Sequence, residues 1–228
     1  AATLRDWSLL DMSAAIAAFP SIQSAVETVV AVRGSGLDPA ALELIDAAHT
    51  KMLRDAEGID LTDHPTLFME FHAAQESALA AGLEMVKEIC DEMGALSFRS
   101  TTDSAERKKL WHARHHSYEI MVRSHPNKTF FINDVAVPIS SYPELIAYVE
   151  QLRAEKHVTC YMIGHAGDGN VHVEFPFSGE AEYKLAMECN GLIVMRALEL
   201  GGTATGEHCV GIGNAKYMPA EHGAAMDV

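Results

Sequence analysis

Apolar positions along the chain follow two periods. Ile22, Ala25, Val26, Val29 and Val30 recur at i, i+3, i+4, i+7 and i+8, the stripe of one helix face, with Ser21 placed to cap its start and Gly34 to end it. Leu79, Leu83, Val86 and Ile89 mark a second helix over 74–93, followed by Gly94. A third starts at the cap Asp103 and runs to about residue 123. Residues 142–156 and 180–200 read as two more, the last ended by Gly201 and Gly202. Short apolar runs between them read as strands: 12–19, 41–46, 66–72 behind Pro65, 96–100, and 130–137 ahead of Pro138. Residues 158–165 and 171–177 make a hairpin. Strands and helices alternate, but the embedded hairpin requires antiparallel pairing. The predicted class is therefore α+β, a ferredoxin-like antiparallel sheet with helices packed on one face.

The hairpin turns at Asp168-Gly169, a dipeptide that tolerates the positive φ angles of a type I′ turn. With those two residues as the loop, Gly167 pairs with Asn170, Ala166 with Val171, and His165 with His172. The Cβ atoms of the two histidines then stand about 5 Å apart across the ladder. That spacing suits a shared cation, and it equally suits two ordinary strand histidines.

Composition narrows the picture. The 228 residues are 48% hydrophobic, enough for a packed core, and no apolar run approaches the roughly 20 residues of a membrane span. A net charge of −15 argues against nucleic acid as a partner, because a phosphate-binding face needs clustered cations. It also means that an anionic substrate needs a local positive centre. Cys90, Cys160, Cys189 and Cys209 lack CxxC spacing and read as reduced thiols; with no signal-like opening, the expected location is cytoplasmic.

Two further stretches carry candidate chemistry. Five glycines fall within residues 201–213, around Glu207 and His208. They permit close backbone approach to a ligand, although a solvated loop has the same composition. Their spacing is neither a Rossmann nor a Walker pattern, so the chain holds no dinucleotide-binding motif. On the third helix, Trp111, Arg114, His115 and Tyr118 share one face by period. An arginine there suits a carboxylate ligand or a structural ion pair. His112, His115 and His116 form a local cluster without an HExxH pattern.

Five motifs then occur in order: HPTLFMEF (64–71), LWHAR (110–114), NDVAVPIS (133–140), GHAGDGNVH (164–172) and GGTATGEHCVGIG (201–213). Together they resemble the C-terminal, substrate-side domain of the FAD-linked oxidase family of D-lactate dehydrogenase and glycolate oxidase subunit type. The resemblance implies that residues 1–10 are a remnant strand of an FAD-binding domain and that 11–228 are the cap domain, ending before a last helix. FAD would be held mainly by the other domain, and FAD-contacting residues in this chain are not identified.

The same resemblance implies His165, His172 and Glu207 as ligands of a divalent metal, zinc or manganese. It implies His208 as the catalytic base and Arg114 as the binder of the substrate carboxylate. The implied activity is oxidation of a 2-hydroxy acid to a 2-oxo acid by hydride transfer to flavin. A cytochrome, quinone or flavoprotein would accept the electrons, and a homodimer is a possible assembly. Departures are Cys209 where the family has glycine, Asn214 where it has lysine, and Ile132 and Glu174 in place of polar residues of the hydroxyglutarate branch. The alternative is a free-standing ferredoxin-like module that binds a metal or a partner without redox chemistry.

Overall fold

Every strand predicted after residue 10 forms. In the computed structural model, which describes residues 11–223 and residue 225, these are β1 (Asp11–Ala18), β2 (Ala41–Ile45), β3 (Thr66–Ala73), β4 (Ser97–Thr101), β5 (Thr129–Ala136), β6 (Tyr161–Gly164) and β7 (Asn170–Phe177). The strand-like piece expected at 1–10 lies outside the described residues. The strands join in one sheet ordered β4-β1-β3-β2-β6-β7-β5, and each neighbouring pair is antiparallel. The expected α+β antiparallel class is the observed one.

Helices cover the sheet unequally. Ala15, Ala17, Leu44, Leu67, Met69, Val171, Val173 and Phe175 point to the main core. It is closed by α1 (Ile22–Gly34), α3 (Glu76–Glu92), α6 (Tyr142–Lys156) and α7 (Gly179–Glu199). Alternate residues Ile16, Ile45, Phe68 and Ile163 face the other way, as the two-residue period of a strand demands. There they meet Leu53 of α2 (Ala47–Glu57), Ala113 of α4 (Ser104–His115) and Ile120 of α5 (Ser117–Ser124). This second layer leaves part of the face open, and the candidate site occupies that opening. Two short helices, α8 (Gly211–Asn214) and α9 (Met218–His222), close the described chain.

Helix α2 was not foreseen, yet its ends are marked in the sequence. Asp46 caps it, accepting the His49 N–H at 2.8 Å, and Gly58 ends it in the left-handed region at φ 60°. The other Asp46 oxygen accepts the Met162 N–H at 3.1 Å and pairs with Arg153 at 3.0 Å. One buried carboxylate thereby ties α2, α6 and β6 together.

Two expectations need correction. The helix expected over 103–123 breaks at His116 (φ −99°, ψ 15°) into α4 and α5. At the break, the Ser117 carbonyl turns aside to the buried His49 ring at 3.3 Å. Trp111, Arg114, His115 and Tyr118 therefore do not share a face. Trp111 and His115 stack, while Tyr118 leans edge-on against Phe130.

The hairpin register also differs: Ile163, not His165, stands opposite His172. Residues Ala166–Asp168 form a 3₁₀ turn and only Gly169 takes a positive φ, 74°, so the two-residue type I′ loop does not form. The slip is two residues, which preserves the face; a slip of one would have reversed it.

No helix among the described residues is long and apolar enough to cross a membrane. Gly169 meets two constraints at once, positive φ and a position where an added Cβ would lie 2.0 Å from the Val137 carbonyl oxygen. Left-handed strain of about 1–2 kcal/mol and overpacking of about 1–3 kcal/mol predict that Gly169→Ala destabilises the domain by roughly 2–5 kcal/mol in urea unfolding. Gly213→Ala is the control, since nothing lies within 4 Å of its added Cβ. Equal stability of the two variants would refute this role for the turn.

Candidate functional site

Register assembles the site in rows across four strands. Ile45 pairs with Ile163, Ile163 with His172, and His172 with Asp134, all on the face opposite the four-helix core. One step beyond the pair Leu44–Gly164, Glu43 and His165 come side by side, and His165 Nδ1 lies 2.7 Å from Glu43 Oε1. Asn170 precedes His172 on the same face and donates to Asp134 Oδ1 at 2.7 Å. Thus the polar side chains converge because they occupy alternate positions of β2, β7 and β5.

The glycine-rich segment lies along the outer edge of β5. Thr203 pairs with Ala136 through the Thr203 N–H to Ala136 carbonyl bond of 2.8 Å. Asp134 Oδ2 then accepts the N–H groups of Glu207 (2.8 Å) and His208 (2.7 Å). Burial pushes the Asp134 carboxyl up, but His172 and these amide donors outweigh it and hold the group well below the usual carboxylate range. Gly206 makes this approach possible, because a Cβ there would fall 2.0 Å from Asp134 Oδ1. Cys209 follows at φ 63°, the left-handed region where glycine carries no strain.

Of the residues singled out from the sequence, His165, His172 and Glu207 come together. Glu207 Oε1 lies 3.2 Å from His165 Nε2 and 3.1 Å from His172 Nε2, and the three offer ligand atoms within 4.8 Å of one another. Glu43 stands behind the first imidazole; Asp134 Oδ1 lies 3.3 Å from Nδ1 of the second. A ring proton on Nδ1, toward the carboxylate behind it, would leave Nε2 of each ring as an acceptor; Nδ1 of His165 makes that hydrogen bond, whereas Nδ1 of His172, 3.3 Å from Asp134, does not in this geometry. Two neutral rings would then turn three acceptor atoms toward one point, which only added protons or a cation satisfies. This donor set fits a divalent ion of the zinc or manganese kind. The hydrogen bond that His165 donates to Glu43 also raises the His165 pKa against the opposing effect of burial.

His208 stacks on His172, with ring centroids 5.0 Å apart, and is 54% exposed on its side chain, open to an incoming group. Asp134, His172 and His208 form a second set of atoms within 4.8 Å, so a ligand role for His208 is sterically available as well. A cleft of about 360 Å³ opens here, lined by Ala136, His165, Asp168, Asn170, Gly206 and Glu207.

Arg114 comes only to the margin. Its Nη2 and Nε both contact Glu43 Oε2, at 2.7 and 3.2 Å, so one edge of the guanidinium is already engaged by the protein. Glu174 lies behind His172 and is absent from the cleft lining. Burial and the charge of Asp46 push its carboxyl up to about 8, and its Oε2 faces His49 Nδ1 at 3.8 Å. A larger groove of about 480 Å³ lies between β4 and α4, but Arg99 there is paired with Asp60 at 3.1 Å.

Sequence reasoning missed Glu43 and Asp134. A signal existed for each. Glu43 sits between Leu42 and Leu44, whose burial in the main core sends the acid to the opposite face. Asp134 alternates with Asn133 and Val135 in the strand that carried one of the five motifs.

Comparison with known proteins identifies the family of the chain. The family model described as FAD linked oxidases, C-terminal domain, matches residues 11–226. The mitochondrial cytochrome D-lactate dehydrogenase of Arabidopsis thaliana is 32% identical over 92% of this chain and 37% of its own length. The mitochondrial probable D-lactate dehydrogenase of Danio rerio is 30% identical over 97% of this chain and 45% of its own. The chain thus spans under half the length of these relatives. Their mitochondrial names overturn the cytoplasmic expectation; the scattered free cysteines that prompted it report on thiol pairing, not on address. The fold resembles that of 4-ethylphenol oxidase from Gulosibacter chungangensis, with TM-score 0.62, 14% identity, and coverage of 84% of this chain and 45% of that one.

The Asp134 anchor has a direct test in amide exchange. Hydrogen bonds to a charged acceptor contribute about 1.5–3 kcal/mol, so the Glu207 and His208 N–H groups should exchange at least about tenfold faster in Asp134→Ala or Gly206→Ala than in the parent chain. Unchanged protection at both amides would show that the carboxylate does not hold the loop.

Proposed function

The chain belongs to the C-terminal domain family of FAD-linked oxidases, and on that premise we propose that it is the substrate-side portion of a flavin-dependent 2-hydroxy-acid dehydrogenase, D-lactate dehydrogenase-like. The observation that carries this reading is the convergence of His165, His172 and Glu207, with His208 stacked on His172, beside a cleft that His165 and Glu207 line. The three would hold a divalent cation. When bound, the cation supplies a Lewis acid and FAD a hydride acceptor, the latter held mainly by polypeptide outside this chain.

The chain's own residues do the rest. His208 takes the substrate hydroxyl proton, being exposed and fixed at its backbone by Asp134. Arg114 offers Nη1, the nitrogen free of Glu43, to the substrate carboxylate. Asp134 and Gly206 keep the loop against β5 so that Glu207 and His208 reach the same cleft. The product is a 2-oxo acid, and the electrons pass to a cytochrome, quinone or flavoprotein. With a net charge of −15, the chain repels an anionic substrate at long range, and the cationic centre offsets this locally.

The assignment separates base from ligand. In the longer polypeptide that carries FAD, His208→Ala should lower turnover with D-lactate by about 10²–10⁴-fold, the usual worth of a positioned base, and leave bound metal nearly unchanged. His165→Ala or Glu207→Ala should remove metal and turnover together. Loss of metal in His208→Ala would assign His208 to the second donor set instead, and near-normal turnover would refute its role as the base.

A further inference from the structure

Glu43 belongs to none of the roles above, yet it touches two residues that carry them. Its carboxylate is nearly buried, at 9% side-chain exposure, on the open face of β2. Oε1 accepts from His165 Nδ1 at 2.7 Å, and Oε2 accepts from Arg114 Nη2 at 2.7 Å and Nε at 3.2 Å. We propose that Glu43 is a positioning residue, fixing through one carboxylate both the tautomer of His165 and the orientation of the Arg114 guanidinium, whose Nε–Nη2 edge it engages. The inference rests on the metal-site reading of His165, His172 and Glu207.

The geometry leaves little freedom at either end. A carboxylate only accepts, so His165 carries a proton on Nδ1, and Nε2, 3.2 Å from Glu207 Oε1, is left for a cation or a second proton to satisfy. The guanidinium has its Nε–Nη2 edge occupied, which directs Nη1 outward. A bidentate grip on a substrate carboxylate through the Nε–Nη2 edge would require Glu43 to be displaced first. One oxygen therefore prepares a ligand and the other orients a cation. The sheet supplies the distance between them, since Glu43 stands beside His165 by register and under α4 by packing.

Glutamine at this position separates the two functions. Its amide has the shape of the carboxylate but one acceptor atom instead of two. It can take the His165 proton or the Arg114 protons, not both. Placed with the oxygen toward Arg114, it donates to His165 Nδ1 and forces the proton to Nε2, the position a metal needs.

The test uses the 228-residue chain, zinc as probe, and long-range ¹H–¹⁵N spectra of the histidine rings at pH 8. In the metal-free parent chain, His165 should show its proton on Nδ1. In Glu43→Gln, that signature should be lost or mixed, and the zinc Kd measured by calorimetry should rise about 10–100-fold, the usual effect of removing a partner behind a ligand. His172→Ala should abolish zinc binding in the parent background. Zinc binding that survives His172→Ala, or is absent from the start, would reject the metal-site reading; the tautomer of His165 in the two chains would still decide the role of Glu43. An unchanged tautomer together with unchanged zinc affinity in Glu43→Gln would overturn the inference. Should Glu43→Gln fail to fold, a proton on Nε2 of His165 in the parent chain overturns it equally.

Discussion

Side chains of an antiparallel strand alternate between two faces, and that period governs this molecule more than any single contact. On one face the alternation yields a continuous apolar core under α1, α3, α6 and α7. On the other, the same strands present Glu43, Asp134, Asn170, His172 and Glu174 in adjacent rows. A change of one residue in the pairing of β7 would send His172 into the core and Val173 to solvent, at a cost no local hydrogen bond offsets. Core and site are therefore specified together. The apolar residues that stabilise the sheet also hold the register that aligns the polar ones.

That alignment brings several ionisable groups into a partly buried space, and their mutual arrangement resolves the difficulty. Burial alone would push the Glu43 carboxyl up, yet the His165 hydrogen bond and the Arg114 charge bring it below its ordinary value. Asp134 is held low by His172 and by donors from the loop it anchors. Glu174, lacking such partners, is pushed up to about 8 and remains largely protonated near neutrality. Three acids on one face thus differ in charge because their donors differ. The two kept ionised are the two standing behind imidazoles. Under the proposed metal-site reading, this division of labour would favour Nε2 of His165 and His172 as the atoms turned to a cation.

The sequence displayed most of the fold, since the strands and the long helices follow from period and punctuation alone. Ser21 starts α1 as its N-cap, as expected, and the helix ends at Gly34, one residue before its C-cap Ser35. Failures came where tertiary contacts override local pattern. His116 breaks a helix that periodicity would continue, because the Ser117 carbonyl is claimed by His49 from a helix distant in sequence. The hairpin chose a 3₁₀ turn over a two-residue loop, although Asp168-Gly169 suits either. His165, His172, Glu207 and His208 were legible from their motifs, and the structure gathers them. Glu43 and Asp134 were not, because an acid within an apolar strand has no partner visible in sequence; Arg114 lies 71 residues from the first, and Glu207 lies 73 from the second.

The loop that carries Glu207 and His208 illustrates how such a site is kept in shape. Cys209 occupies a left-handed conformation that costs an ordinary residue about 1–2 kcal/mol and costs glycine nothing. Strain of that size persists only where surrounding contacts over-determine the backbone. Here the contacts are identifiable: Asp134 holds two successive N–H groups just before the strained residue, Thr203 is bound to Ala136, and Glu221 of α9 accepts the Ala204 N–H at 2.9 Å. Two bonds to a charged acceptor contribute about 3–6 kcal/mol at most, more than the strain they oppose. The loop keeps its path through anchors at 203, 204, 207 and 208, so Cys209 takes the conformation left to it. His208 therefore inherits its position from the carboxylate of β5, and the sheet register that aligns His172 with Asp134 also fixes His208 beside them.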